Sequence, residues 1–362
     1  MLSEYLKEAG YVTACIGKWH VGGEGFGPLE QGFDVYHPGA ANTRPSETEG
    51  GKGEYGLTAA VEKFIEANRN HPFFVYLAHN TPHIPYAAQQ WRIDKNSKAY
   101  EPVYAAVIET LDDTIGRLMA KLDALNLADE TLVIFTSDNG GLHVPEGPHA
   151  KITHNTPYRA GKGFVYEGGL RIPLIVRWPG HVPAGRVIDD PVVNTGWLPT
   201  VLNLLGRPVP PGLDGVSFSN LLTGRGPSLV QKFFWHFPHY TNQGSRPSGA
   251  MREGNWMLVE YYDQEKPELY NLAADINEKN DIATQRPELV ARMSAALDAW
   301  RKSVGAQANT PNPQFDPAKY RELYEEVDAS RFEPATAGAA EHEKMQIWRK
   351  RMNAVLPGPK KP

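Results

Sequence analysis

The sequence predicts an α/β fold: a mostly parallel sheet sandwiched by helices, followed by a small C-terminal antiparallel α+β subdomain. Three observations predict it. Over the first ~220 residues, apolar runs of strand length alternate with segments of helical period, the pattern of a parallel sheet covered on both faces. Two of these runs, Phe73–Ala78 and Leu132–Phe135, are continuously apolar, as strands buried on both faces require. After about residue 225 the character changes to aromatic, strand-like runs at Phe233–Phe237 and Trp256–Tyr262, which suit a hairpin or small antiparallel sheet.

Each element follows from its residues. Residues 3–9 read as a short helix between Ser3 as N-cap and Gly10 as C-cap. Tyr11–Ile16 reads as a strand that ends at Gly17-Lys18-Trp19-His20. Residues 21–56 are rich in Gly and Pro and read as a long loop, and such loops in compact domains are commonly functional. Thr58–Asn70 is helical, with Val61, Phe64 and Ile65 on one face. Phe73–Ala78 ends at His79-Asn80-Thr81-Pro82-His83. Apolar residues from Val103 to Leu125 recur at steps of three and four, with one adjacent pair, which predicts a helix over 101–125. Leu132–Phe135 ends at Ser137-Asp138-Asn139-Gly140-Gly141, and 142–169 is a polar loop. Leu174–Trp178 is a strand stopped by Pro179-Gly180, and Trp197–Leu205 a short helix. Glu268–Leu272 is a third strand or turn of the later sheet. Pro287–Val304 is a helix with Leu289, Met293, Leu297 and Trp300 inward, and 341–355 holds one more helix. The organisation expected is an α/β domain over 1–225, an α+β subdomain over 226–305 and a charged, Pro-interrupted tail over 306–362.

Composition excludes several classes. The 362 residues are 41% hydrophobic and 22% charged, ordinary for a globular protein and unlike a disordered chain, a collagen or a disulfide scaffold. A net charge of -5 calls for no nucleic-acid partner. The single cysteine, Cys15, rules out an intramolecular disulfide and a Cys-based zinc cage. No apolar run approaches the ~20 residues of a membrane span. No basic segment followed by an apolar one opens the chain, so no secretory leader is read. Residues 2–10 instead form an amphipathic helical turn, as if the chain began in the middle of a fold.

Three strand ends carry polar clusters: Lys18 with His20, His79 with His83, and Asp138 with Asn139. In an open parallel sheet ligands bind beyond the carboxyl ends of the strands, so these clusters fall on one rim. Each cluster alone is equally a satisfied loop; three on one edge point to a site. Asp138 and Asn139 offer hard oxygens that suit Ca²⁺ or Mg²⁺, and also make an ordinary strand-exit turn. Arg159-Ala160-Gly161-Lys162-Gly163 places cations on a permissive backbone able to approach a tetrahedral oxyanion, without forming a nucleotide-binding P-loop. Asp112 and Asp113, mid-helix, read as an interhelix or surface feature. The aromatic stretch Trp235–Tyr240 reads as core or rim, with a sugar platform as the alternative.

Together these strings resemble the sulfatase family of the alkaline-phosphatase-like superfamily. The resemblance is carried by Gly10–His20, by Pro72–Ala78 with Thr81-Pro82-His83, and by Thr136–Gly141. It continues in Gly161-Lys162-Gly163 with Tyr166–Pro173, and in Glu268–Leu272 with Asp275. It implies a Ca²⁺ (or Mg²⁺) held by Asp138 and Asn139. It implies that Lys18 and His20 hold and deprotonate a hydrated formylglycine nucleophile. His83 and Lys162 match the pair that binds sulfate and assists the leaving oxygen. The implied partner is a sulfated small molecule or glycan, and the implied location of a full-length member is periplasmic or secreted.

Two departures qualify it. The family's Cys/Ser-x-Pro-x-Arg string, whose first residue becomes formylglycine, is absent, and Cys15 lies inside a strand. The family's early Asp-Asp pair is absent too. Both belong upstream of Leu2, so the resemblance implies an N-terminally incomplete sulfatase, inactive as this chain alone. Two alternatives stay open: a degenerate, non-catalytic binding relative, and a phosphoesterase of the same superfamily.

Overall fold

In the computed structural model the described residues are 1–40, 45–264 and 266–355. Residues 41–44 of the expected loop and 356–362 of the expected tail lie outside them. In chain order the elements are α1 (Leu2–Glu8), β1 (Val12–Gly17), β2 (Val35–Pro38), α2 (Glu54–Ala67), β3 (Phe73–Ala78), α3 (Gln90–Lys95), α4 (Pro102–Ala124), β4 (Val133–Thr136), α5 (Glu167–Leu170), β5 (Leu174–Arg177), α6 (Trp197–Leu204) and α7 (Ser219–Leu222). Then come β6 (Lys232–Phe237), β7 (Ser248–Glu253), β8 (Trp256–Tyr261), β9 (Glu268–Asn271), α8 (Pro287–Ser303), α9 (Pro317–Tyr320) and α10 (Ala339–Val355). The chain divides into two compact units, residues 1–134 with 176–229 and residues 135–175 with 230–362.

The first unit is built on a parallel sheet of order β2-β1-β3. Its side chains alternate as the pleat requires. Ala14 and Ile16 of β1, with Val75 and Leu77 of β3, pack on Leu57, Val61, Phe64 and Ile65 of α2 and on Leu118 and Leu122 of α4. The opposite face carries Cys15, with Tyr36 and Tyr76 as its register partners, and Phe33 stacked on Phe74 at 6.0 Å. Tyr76 is 45% exposed, so β3 is buried on one face and not on two as its apolar run predicts. Asp113 of α4 pairs with Arg92 of α3, an interhelix role. Strands β4 and β5 form a separate two-stranded sheet, and the division between the units passes through both strands.

The second unit is an antiparallel sheet of order β6-β7-β8-β9, covered on both faces. On one face Met251, Leu258 and Leu269 meet Met293 and Leu297 of α8. On the other, Ala250, Met257, Val259, Tyr261 and Tyr270 share a core with Phe164, Tyr166, Trp348 and Met352. Residues expected to form a charged tail thus supply Leu323, Val327, Met345, Trp348 and Met352 to this core, and the Trp348 indole donates to Leu323 O at 2.9 Å.

Candidate functional site

In the first unit, Gly17 ends β1 at φ +111°, and a Cβ there would fall on the Ala78 carbonyl. This close approach lets Lys18 N donate to Ala78 O at 2.8 Å, which locks the two strand ends together. Lys18 is half-buried and His20 exposed, and neither side chain makes a hydrogen bond or ion pair among the described residues. His83 is exposed and its Nδ1 lies 2.7 Å from Ile84 O. A carbonyl can only accept, so Nδ1 carries the proton and Nε2 is the basic nitrogen.

Two residues missed by sequence reasoning organise this end of the sheet. The buried Lys52 ammonium donates to His83 O (2.5 Å) and Ile84 O (2.7 Å). Burial, and then repulsion from Lys18, lower its pKa to about 8, against the opposing pull of Glu54. The buried Glu54 takes Asn80 N (3.1 Å) and Thr81 N (2.9 Å) on Oε1 and sits 2.5 Å from His79 Nδ1 through Oε2. The string Gly51-Lys52-Gly53-Glu54 looks like loop because its partners lie about 30 residues away in the chain. Its signal is an acidic residue at the start of a helical pattern.

In the second unit, the Asp138–Gly141 turn and the Gly-rich segment are bound backbone to backbone. Lys162 N donates to Gly141 O (3.1 Å) and Gly140 N to Gly169 O (3.0 Å). A Cβ on Gly140 would fall inside the Gly168 carbonyl, so only glycine permits this approach. Lys162 is half-buried, and its ammonium has no hydrogen bond or ion pair among the described residues. Arg159 differs from the sequence expectation of a cation for an oxyanion. Its guanidinium is buried, donates to Tyr270 Oη (2.8 Å), Glu278 O (3.2 Å) and Ser330 Oγ (2.7 Å), and lies 3.7 Å from the Tyr166 ring centroid. Arg159 is a core tie, and Lys162 is the available cation. Beside Arg159, Glu278 takes Glu167 N at 2.9 Å, and burial pushes its carboxyl up to about 8.

Asp138 is exposed and accepts Asn139 N on Oδ1 (3.0 Å). The Asn139 amide nitrogen donates to Gly140 O (2.8 Å), which leaves its Oδ1 to accept. These oxygens match Ca²⁺ or Mg²⁺ in kind. Ca²⁺ takes about 6–8 ligands, and among the described residues no group of three or more His, Cys, Asp or Glu side chains is placed to hold a metal ion. The described residues therefore fall short of a cation site in number. Cys15 is fully buried in β1, and burial pushes its thiol up to about 11, which removes it as a nucleophile. The structure thus places Lys18, His20 and His83 in the first unit, and Asp138, Asn139 and Lys162 in the second.

A family model described as Sulfatase matches residues 1–207, and one described as N-sulphoglucosamine sulphohydrolase, C-terminal, matches 160–303. A sulfatase of Formosa agariphila is 32% identical over 283 residues, 67% of this chain and 49% of its own length. Human N-acetylgalactosamine-6-sulfatase is 33% identical over 264 residues, 64% of this chain and 48% of its own. Among solved structures, Ps i-CgsB in complex with k-i-k-neocarrahexaose matches with a TM-score of 0.72 and 26% identity, over 83% of this chain and 73% of that one. The chain spans about half the length of the curated relatives it matches.

Proposed function

The chain belongs to the sulfatase family, whose members are sulfuric ester hydrolases, and we propose that its residues serve the hydrolysis of sulfate esters carried on a glycan. The observation that carries this reading is the Lys162 turn. An ammonium with no partner among the described residues, on a backbone flanked by glycines that admit no side chain and tied through Lys162 N to Gly141 O, suits a tetrahedral sulfate oxyanion. The glycan as carrier is supported by the name of the human relative and by the neocarrahexaose held by Ps i-CgsB.

The roles are those that the resemblance implies. In the second unit Lys162 neutralises sulfate oxygens; in the first, Lys18 holds the attacking group. His20 moves the proton of the attacking group. His83, whose Nδ1–H is spent on Ile84 O, takes a proton at Nε2 and, as the imidazolium, passes it from there to the leaving oxygen. Lys52 fixes the backbone on which His83 sits. The Cys/Ser-x-Pro-x-Arg string that yields the family's nucleophile does not occur in the 362 residues, so this chain as given is expected to bind sulfate esters without turning them over.

The test is twofold. The purified chain should release sulfate from an aryl sulfate at the background rate. It should bind a sulfated monosaccharide, and Lys18→Ala and Lys162→Ala should each weaken that binding about tenfold, or about 1.4 kcal/mol. Binding indifferent to both substitutions refutes the roles. Hydrolysis well above that of the double variant refutes the expected inactivity.

A further inference from the structure

The second unit carries another organised surface. Tyr240, Tyr324, Tyr320 and Phe315 form a row in which successive ring centroids lie 5.2, 5.6 and 5.6 Å apart. The ends of the row are exposed, Tyr240 at 47% and Phe315 at 54%, and the middle pair is half-buried. The polar edges of the rings are tied down. The Tyr240 and Tyr320 hydroxyls both donate to Asp263 Oδ2, at 3.1 and 3.0 Å. Arg246 donates to Tyr320 Oη at 2.9 Å, lies 3.5 Å from Asp263 Oδ1 and covers the Tyr261 ring at 4.2 Å.

This row is continuous with the Lys162 turn. Tyr240 leads into Thr241, and a Cβ on Gly163 would press on Thr241 Oγ1 and on Gln243 at 3.2–3.3 Å. Asn242 and Gln243 in turn donate to Glu146 at 3.2 and 2.9 Å, which pins the loop. The loop bearing the first ring therefore packs against the residue that follows Lys162.

We propose that the Tyr240–Tyr324–Tyr320–Phe315 row is a platform for the sugar rings of an oligosaccharide whose sulfate is taken at Lys162. It rests on the glycan-sulfatase reading and extends it by locating the carrier's path. A pyranose presents C–H groups on its faces and hydroxyls at its rim. Aromatic faces take the first, and the Asp263 and Arg246 edge groups take the second. Rings already oriented by hydrogen bonds lose little freedom when the ligand arrives. Arg246 and Asp263 offset each other in charge, so the row recognises sugar and leaves sulfate to Lys162. Four rings extend beyond one pyranose, which makes the ligand an oligosaccharide.

The experiment titrates the full chain by calorimetry with carrageenan and chondroitin hexasaccharides, each sulfated and chemically desulfated, and with a sulfated monosaccharide. Tyr240→Ala and Phe315→Ala should each weaken binding of at least one hexasaccharide about five- to tenfold, sulfated or not. Neither should alter binding of the monosaccharide. Tyr240→Phe should retain most of the affinity. The Phe315 side chain makes no polar bond, so its variant carries the test if Tyr240→Ala unfolds. Equal hexasaccharide affinity in wild type and in both alanine variants overturns the platform, as does absence of hexasaccharide binding by wild type. Lys162→Ala should weaken only sulfated ligands. If it weakens none, the sulfatase reading fails while the desulfated hexasaccharide still decides the platform.

Discussion

Replacing Glu54 by alanine is expected to release the loop that carries His79 and His83. The side chain is fully buried, and its oxygens serve Asn80 N, Thr81 N and His79 Nδ1. Asn80 and Thr81 are themselves only 3% and 5% exposed, so water does not replace the lost acceptor. Each orphaned buried donor costs about 1–3 kcal/mol, which gives about 2–6 kcal/mol for the two. Glutamine keeps Oε1 for both amides and turns an N–H toward His79, and should cost about 1 kcal/mol. The assay is urea unfolding together with hydrogen exchange at the Asn80 and Thr81 amides. A loss of about 2 kcal/mol lowers their protection roughly 30-fold. Protection of both amides unchanged in Glu54→Ala, with stability within about 0.5 kcal/mol of wild type, refutes the assignment of Glu54 as the anchor of this loop.

Gly140→Ala should destabilise the second unit by about 1–3 kcal/mol and abolish sulfate binding, because its Cβ meets the Gly168 carbonyl. Gly23→Ala, in open space, should stay within about 0.5 kcal/mol of wild type, and equal melting of the two variants counts against the argument. Lys52 gives a pH signature. Its folded pKa of about 8 lies below the ordinary 10.5, so the cost of burying the charge is constant below pH 8 and is relieved as pH rises from 8 to 10.5. The stability of wild type relative to Lys52→Met should therefore climb across that window in urea titrations, and a pH-independent difference rejects it.

Sequence reasoning succeeds where local pattern and tertiary role coincide. The helical period of α4 and the apolar run of β3 announce themselves, and the strand-end polar strings supply five of the six candidate residues, with Lys162 coming from the Gly-rich loop. It fails where burial comes from distant partners. β7, Ser248–Glu253, has no strand-like alternation, yet is buried because β6 and β8 flank it. β2 is four exposed residues defined only by pairing with β1. Lys52 and Glu54 sit in a glycine-rich string whose bonds run to His83, Asn80 and Thr81, and the one short-range signal, an acidic residue at a helix start, does not reveal those partners. Arg159 looks like an anion-binding cation until Tyr270, Glu278 and Ser330, more than 100 residues on, are seen to hold it.

The split of each unit across the chain sets an order of events during synthesis. The Lys162 segment leaves the ribosome well before Trp348 and Met352, which complete the core under it. At about 5–20 residues per second the delay between residue 175 and residue 352 is roughly 10–35 s. Throughout that interval Tyr166 and Phe164 lack their final neighbours and are open to chaperones and proteases. A stop codon placed before α10 would make that exposure permanent, so α10 closes the core beneath a loop that lies far upstream.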